Sequence, residues 1–164
     1  IRNTVGSMEF GGCFLNKRLN RNNDGGTTRR TTDIFQLATT VLFQNPVQNF
    51  ALAPNNLKDV SPVCMDYMKT IPTTWDETCF IDGYPGKYVV LARRHGGTWY
   101  VAAINAGKET LKLKLDLEMF AGKTVSLYKD DKKGAPQLVP LKVKENGKVQ
   151  LEILPQGGAV LVNK

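Results

Sequence analysis

The second half of the chain alternates between apolar and polar residues with a period of two. In the stretch TLKLKLDLEMF, every second position is a leucine: Leu111, Leu113, Leu115 and Leu117. The stretch KVQLEIL repeats the pattern with Val149, Leu151 and Ile153. Successive side chains of a β-strand point to opposite faces of the sheet. The alternation therefore predicts antiparallel strands with one buried and one solvated face.

Turn signals divide this region into short strands. Asn146-Gly147 lies between two alternating runs and is a strong hairpin signal. His95-Gly96-Gly97 predicts a second hairpin, with the single histidine of the chain as a solvated turn residue. We count about eight short strands over residues 75–164, a spacing typical of an antiparallel sandwich or Greek-key domain.

Residues 1–74 have a different character. Residues 1–10 can form one strand, and Asn16–Thr32 is a polar loop with no apolar periodicity. A strand, a loop and helices without partner strands cannot bury both faces of a sheet. We therefore expect this half to belong to a larger α/β structure, and the whole chain to be α+β.

Two helices are predicted in the first half. In TTDIFQLATTVLFQNP the apolar residues form one broad stripe, with Thr32 or Asp33 as the N-cap and Asn45-Pro46 as the end. SPVCMDYMKT predicts a second, short helix, with Ser61 as the N-cap and Pro62 at the first helical position.

The charge of the chain suggests no specific partner. The net charge is +7, but Lys and Arg exceed Asp and Glu by eight to five in residues 1–74 and by fourteen to ten in residues 75–164. Basic residues are grouped only in pairs, so we interpret them as solvated surface and expect no nucleic-acid binding. A nucleic-acid-binding β domain stays an alternative, with steep salt dependence as its signature. No apolar run approaches the ~18 residues that span a membrane.

Few residues form a pattern that carries chemistry. The three cysteines are widely spaced and lack a CxxC pair, so we interpret them as small buried residues and expect no metal site: Cys13, Cys64 and Cys79. Paired carboxylates could serve glycoside hydrolysis. The adjacent pairs Asp76-Glu77 and Asp130-Asp131 lie in turn contexts, however, and are predicted to be solvated. Glu9 differs, because it leaves the first strand just before the long loop, a position that faces the active site in an α/β barrel. The alternative is that Glu9 is only a polar residue at a strand end.

Aromatic residues of the second half leave a second function open. Four of them could form a sugar-stacking platform, which would make the chain a non-catalytic carbohydrate-binding or scaffold domain: Trp75, Tyr84, Trp99 and Tyr100. Isolated aromatic residues in strands are more often part of a packed face. Burial of Trp99 and Tyr100 would argue against the platform.

Three segments together resemble glycoside hydrolase family 97. They are RNTVGSMEFGG, QLATTVLFQNPVQNFALAP and the long run that begins IPTTWDETCFIDGYPGKY, in the order in which the family has them. The chain departs from the family pattern at Gly11-Gly12 and at Phe35. The resemblance implies that residues 1–74 are the last strand and helices of a catalytic (β/α)8 barrel, and that residues 75–164 are a C-terminal β-sandwich domain.

The same resemblance implies a function and its limits. The parent protein would hydrolyse α-glycosidic bonds of oligosaccharides, with its catalytic carboxylates and its calcium ligands in the missing N-terminal part of the same protein, and this chain alone would be inactive. Substrate-binding candidates are Glu9 and Phe10 at the strand end and Arg29 or Arg30 in the rim loop. A periplasmic or cell-envelope location in a Bacteroides-like bacterium is also implied.

Overall fold

A computed structural model describes residues 6–7, 13–18, 25–52 and 54–163. The strand predicted for residues 1–10 lies almost entirely outside these ranges. The described part holds eight strands, as counted from the sequence, and is mostly antiparallel sheet with few helices. The strands are β1 (Glu77–Tyr84), β2 (Tyr88–His95), β3 (Thr98–Asn105), β4 (Leu111–Asp116), β5 (Thr124–Asp130), β6 (Pro136–Lys142), β7 (Lys148–Ile153) and β8 (Gly158–Val162).

The strands form two sheets that pack face to face. The larger has the order β1-β2-β3-β8-β5-β6, and the smaller pairs β4 with β7. Leu113 and Leu115 of β4 and the apolar residues of β7 are buried between the sheets, Leu111 is partly buried, and their polar neighbours are exposed. The alternation therefore arises as predicted, because one face of the small sheet meets the larger sheet and the other meets solvent.

One predicted hairpin is confirmed and the other is wrong. β2 and β3 turn at Gly96-Gly97, where His95 pairs with Thr98. Asn146-Gly147 also forms a turn, but the strands on either side of it lie in different sheets. Gly147 has a φ of 70° and lies against the backbone of Leu117 and Glu118. The turn therefore carries the chain from the large sheet to the small one.

The other face of the large sheet carries the helices. Helix α1 spans Asp33–Leu42, a 3₁₀ helix spans Pro54–Asp59, and α2 spans Pro62–Met68. Thr32 caps α1 by accepting a hydrogen bond from the Phe35 N–H at 3.1 Å, which confirms the predicted N-cap. Ser61 and Pro62 begin α2 as predicted, although the Ser61 side chain makes no capping hydrogen bond. α1 ends three residues before Asn45.

Helix α1 shares one core with the β domain. It packs on the centre of the large sheet, over β3 and β8. The sheet is lined there by small residues, among them Ala102 and Gly158, so the helix approaches closely. Within the described part, the helices of the first half are thus not a separate packing unit.

The C-terminal end of α1 rests on a buried cation. Arg93 of β2 is fully buried and donates from Nη2 to the Leu42 carbonyl oxygen at 3.3 Å. Burial lowers the pKa of its guanidinium. A positive charge at this end of a helix is favourable, because it opposes the partial negative charge of the terminal carbonyls.

None of the described helices is long and apolar enough to cross a membrane.

Candidate functional site

The loop before α1 is held in place by Arg29. Its Nε donates to the Asn16 carbonyl oxygen at 3.2 Å, its Nη1 donates to the Thr31 carbonyl oxygen at 2.6 Å, and its Nη2 pairs with Asp33. The Arg29 N–H also donates to the Lys17 carbonyl oxygen at 2.8 Å. A guanidinium is suited to this role, because its donors form a rigid fork. Arg29 therefore binds the two sides of the loop together.

The four predicted substrate-binding residues have different positions. Arg30 is exposed beside Arg29, and the donors of Arg29 already serve the loop. Glu9 and Phe10 lie outside the described residues. That any of the four contacts a sugar stays a prediction.

Asp130 corrects a prediction, because it is only 6% exposed rather than solvated. It ends β5 beneath the N-terminus of α1, where its Oδ2 accepts from the Thr32 hydroxyl at 2.8 Å and from the Gly158 N–H at 3.2 Å. Burial raises the pKa of its carboxyl from an ordinary 3.8 to about 6, although these hydrogen bonds lower it. The adjacent Asp131 instead closes a turn through the N–H groups of Ala135 and Lys133, which lower its pKa.

The free energy of unfolding should depend on pH through the titration of the Asp130 carboxyl. With a folded pKa of about 6 and an ordinary value of 3.8, the folded chain binds a proton that the unfolded chain has released between these pH values. The contribution of the group to stability is therefore greatest below pH 3.8 and declines as the pH rises through 6. Relative to Asp130→Asn, which has no charge to titrate, the unmodified chain should lose about 2 kcal/mol between pH 4 and pH 7.

Urea unfolding at a series of pH values measures this difference. Asp131→Asn is the matched control, and its sign is opposite. Because the folded pKa of Asp131 is lowered, its contribution is present above the ordinary pKa and is lost as the pH falls. A free-energy difference between Asp130→Asn and the unmodified chain that stays constant from pH 4 to pH 7 would contradict the assignment.

The other carboxylate pair stabilises the hairpin of β2 and β3. Asp76 and Glu77 are exposed, as predicted, and both contact Arg94. Asp76 Oδ2 also accepts from the Gly96 N–H at 2.7 Å. His95 is exposed and lies 2.9 Å from the Thr74 carbonyl oxygen through Nδ1. These contacts stabilise the tip of the hairpin. They do not place Asp76 or Glu77 across a cleft from a second carboxylate.

The thiols are poor nucleophiles. Cys13 and Cys64 are buried, as predicted, and burial is the main cause that raises the pKa of each to about 12. Cys79 is partly exposed, and burial together with Glu77 raises its pKa. Within the described residues, no three His, Cys, Asp or Glu side chains are grouped so that they could hold a metal ion.

The four aromatic residues do not form a common exposed platform. Tyr100 is buried on the helix side of the large sheet, with the Trp75 ring 5.3 Å away in an edge contact. Trp99 packs on the opposite side of the same sheet, between the two sheets. Tyr84 is exposed at the far end of β1. The alternative of a sugar-stacking face made by these residues therefore has no support in their arrangement.

Comparison with known proteins supports the family resemblance. Residues 74–163 match the family model described as the glycosyl-hydrolase 97 C-terminal, oligomerisation domain. A probable retaining α-galactosidase of Streptomyces bingchenggensis is 33% identical over 108 residues, which are 65% of this chain and 15% of that protein. The retaining α-galactosidase of Bacteroides thetaiotaomicron is 31% identical over 133 residues, which are 77% of this chain and 20% of that protein.

Two solved structures extend the comparison. The crystal structure of a β-arabinopyranosidase is 84% identical, with a TM-score of 0.96, over 99% of this chain and 26% of that one. A family 97 enzyme from Pseudoalteromonas sp. strain K8, in complex with acarbose, is 24% identical over 96% of this chain and 26% of that one. Its TM-score of 0.78 indicates a common fold.

The chain spans a fifth or less of the length of the two curated relatives. The match to the family model nevertheless covers more than half of the chain, from the residue before Trp75 almost to the last residue. It coincides with the part whose fold is a pair of packed antiparallel sheets. This protein therefore belongs to glycoside hydrolase family 97, of which it contains the C-terminal domain.

Proposed function

We propose that the chain is the C-terminal, non-catalytic portion of a glycosidase that removes a terminal arabinopyranosyl residue. The observation that carries this proposal is the 84% identity to a β-arabinopyranosidase over 99% of the chain. The two curated relatives, named as α-galactosidases, are about 30% identical and support the broader class. The chain would serve the parent enzyme as a structural and oligomerisation domain.

The two substrate names are chemically compatible. Among β-arabinopyranosides, the L form has the ring configuration of an α-D-galactopyranoside and lacks only the C6 hydroxymethyl group. The change of Greek letter follows from the naming rules for the two sugars rather than from a different geometry at the anomeric carbon. One pocket architecture can thus accept both sugars, and the space around C5 would decide between them.

The reacting groups are proposed to lie outside this chain. Glycoside hydrolysis needs an acid that protonates the leaving oxygen and a second carboxylate that activates water or attacks the sugar. The carboxylates of the two acidic pairs serve hairpin, turn and helix-terminus contacts here. The calcium that the resemblance implies would also be held elsewhere in the parent, since the described residues offer no cluster of ligands.

We also propose a division of the chain in the parent. Residues 1–74 would complete the catalytic barrel, and residues 75–164 would form the C-terminal domain. Three large apolar side chains of the first part are exposed and would contact the rest of the barrel: Phe14, Val47 and Leu57. The loop braced by Arg29 would line the rim of the pocket, with Arg30 available to sugar hydroxyls, in a periplasmic or envelope-associated enzyme.

The substrate proposal is tested with the full-length parent enzyme. We expect kcat/KM for nitrophenyl β-L-arabinopyranoside to exceed that for nitrophenyl α-D-galactopyranoside by about 10-fold or more, the discrimination that a pocket gains by excluding a group of this size. Nitrophenyl α-D-glucopyranoside, which differs at C4, is the control and should react more slowly than either. A preference for the galactoside or for the glucoside would contradict the proposal.

A further inference from the structure

An apolar groove lies at the turn between β1 and β2. It has a volume of about 380 Å³, and its lining includes Phe80, Gly83, Tyr84, Val89, Ile104 and Ala106. Phe80 and Tyr84 are 67% and 59% exposed. Burial of an aromatic ring away from water lowers the free energy of the system. Two exposed rings beside an apolar groove therefore indicate a contact surface. We name this feature the β1 groove.

The β1 groove lies on the helix side of the large sheet but beyond the helices. Val89 and Ile104 form its floor and pack against the core beneath α1. α1 packs mainly on the central strands β3 and β8, and Phe80 of β1 is 67% exposed. Phe80 therefore lies on a part of the sheet face that the described residues leave mostly exposed.

The two edges of the large sheet are protected to different degrees. β6 contains Pro136 and Pro140, which have no N–H to offer a further strand. β1 has no proline or lysine, and its register shifts between Phe80 and Asp82. A bulge of this kind hinders the addition of a full strand. A partner at this edge would therefore bind through side chains in the groove rather than through strand pairing.

The position of the groove favours a second copy over the rest of the same chain. Cys13 lies beside Cys64 and Tyr67, and Tyr67 lies against Tyr128 of β5. β1 is four strands from β5 in the sheet, a separation of about 19 Å at the usual strand spacing. Cys13 and α2 thus lie over the β5 and β6 side of the sheet, away from the groove.

The rim of the groove is electrostatically suited to pair with itself. Lys87 Nζ lies 4.8 Å from the centre of the Tyr84 ring, and Asp82 accepts a hydrogen bond from the Tyr88 hydroxyl at 3.1 Å. A two-fold axis brings the same patch of two subunits together. A rim that carries both a cation and an anion can then place opposite charges across that axis.

We propose that the β1 groove is the contact between two copies of the parent enzyme, with Phe80 of each copy inserted into the groove of the other. This inference rests on the proposed function, since residues 74–163 match a domain described as one of oligomerisation and contain the whole groove. It adds which edge of the sheet forms the contact and which side chain anchors it.

Sedimentation velocity of the full-length enzyme over a range of concentrations tests this inference. The unmodified enzyme should be an oligomer, and Phe80→Glu should raise its dissociation constant by about 30-fold or more, as loss of a central aromatic anchor does. Leu138→Glu is the matched control, because Leu138 is 46% exposed on the opposite edge strand. The Leu138→Glu variant should sediment with the same oligomeric mass as the unmodified enzyme. Tyr84→Ser, a milder change in the same groove, should weaken association in the same direction.

The possible results separate this inference from the proposed function. An unmodified oligomer that keeps its mass in Phe80→Glu overturns the β1 groove as the contact and leaves the oligomerisation role intact. An unchanged mass with a lowered melting temperature would instead place another part of the same chain in the groove and would overturn the inference. A monomeric unmodified enzyme would overturn both the contact and the oligomerisation role.

Discussion

Replacing Tyr67 by alanine should lower the free energy of unfolding by about 3–5 kcal/mol. Tyr67 lies on α2, is 1% exposed, and its ring makes an edge contact with Tyr128 of β5 at 5.0 Å. Its hydroxyl lies 3.1 Å from the Thr40 hydroxyl of α1. The Thr40 hydroxyl already donates to the Leu37 carbonyl oxygen, so Tyr67 is the donor of this pair. One side chain thus joins both helices to the sheet.

Urea denaturation of the 164-residue chain measures the loss, and Tyr67→Phe is its control. That variant keeps the ring and loses one hydrogen bond, so we expect a decrease of only about 1 kcal/mol. Equal losses in the two variants would mean that the hydroxyl, and not the packing of the ring, carries the effect. A loss below about 1 kcal/mol in Tyr67→Ala would show that the helix layer is not packed on the sheet as described.

Gly158→Ala should lower the free energy of unfolding by about 1–3 kcal/mol, the usual cost of overpacking. Gly158 begins β8 directly beneath the first turn of α1. A β-carbon built there would lie 2.8 Å from the Ile34 carbonyl oxygen and 2.8 Å from the Phe35 Cα. These are backbone atoms, so relief requires a shift of the whole helix rather than of a flexible side chain.

Gly97→Ala is the matched control for this substitution. Gly97 lies at the turn between β2 and β3, and a β-carbon there would have no neighbour within 4 Å. We expect its melting curve to stay close to that of the unmodified chain. Similar losses in the two variants would indicate a general effect of removing glycine and would contradict the close approach of α1 to β8.

The elements that the sequence predicted well are those with strong local signals. The alternating leucines of β4 identified a half-buried strand because one face of the small sheet meets solvent. Thr32 identified the start of α1 because its hydroxyl satisfies an N–H group that the helix leaves unpaired. In both cases the physical cause lies within a few residues of the signal.

The features that the sequence did not reveal depend on residues far apart in the chain. Asp130 reads as a turn residue beside Asp131, and only its contact with Thr32, 98 positions away, explains why it is buried. Asn146-Gly147 specifies a tight turn but not which strands pair on either side of it. The position of α1 on the sheet depends on Gly158, whose missing side chain gives no local signal of a helix above it.

The sequence predicted the class of the substrate but not the particular sugar. The resemblance rests on segments of the family, and the pocket that distinguishes an arabinopyranoside from a galactopyranoside is proposed to lie outside this chain. Of the residues predicted to bind sugar, Arg29 instead forms contacts within its own loop. These contacts, with Asn16 and Asp33, are not predicted by any sequence motif.

This chain belongs to glycoside hydrolase family 97, and we place the catalytic groups elsewhere in the parent protein. Activity assays test this claim by comparing the full-length enzyme with the 164-residue chain at equal molar concentration on nitrophenyl β-L-arabinopyranoside, after circular dichroism has shown that both are folded. We expect turnover by the full-length enzyme and release of nitrophenol at the rate of buffer alone by the 164-residue chain. Turnover by the folded 164-residue chain at a rate close to that of the full-length enzyme would contradict the claim.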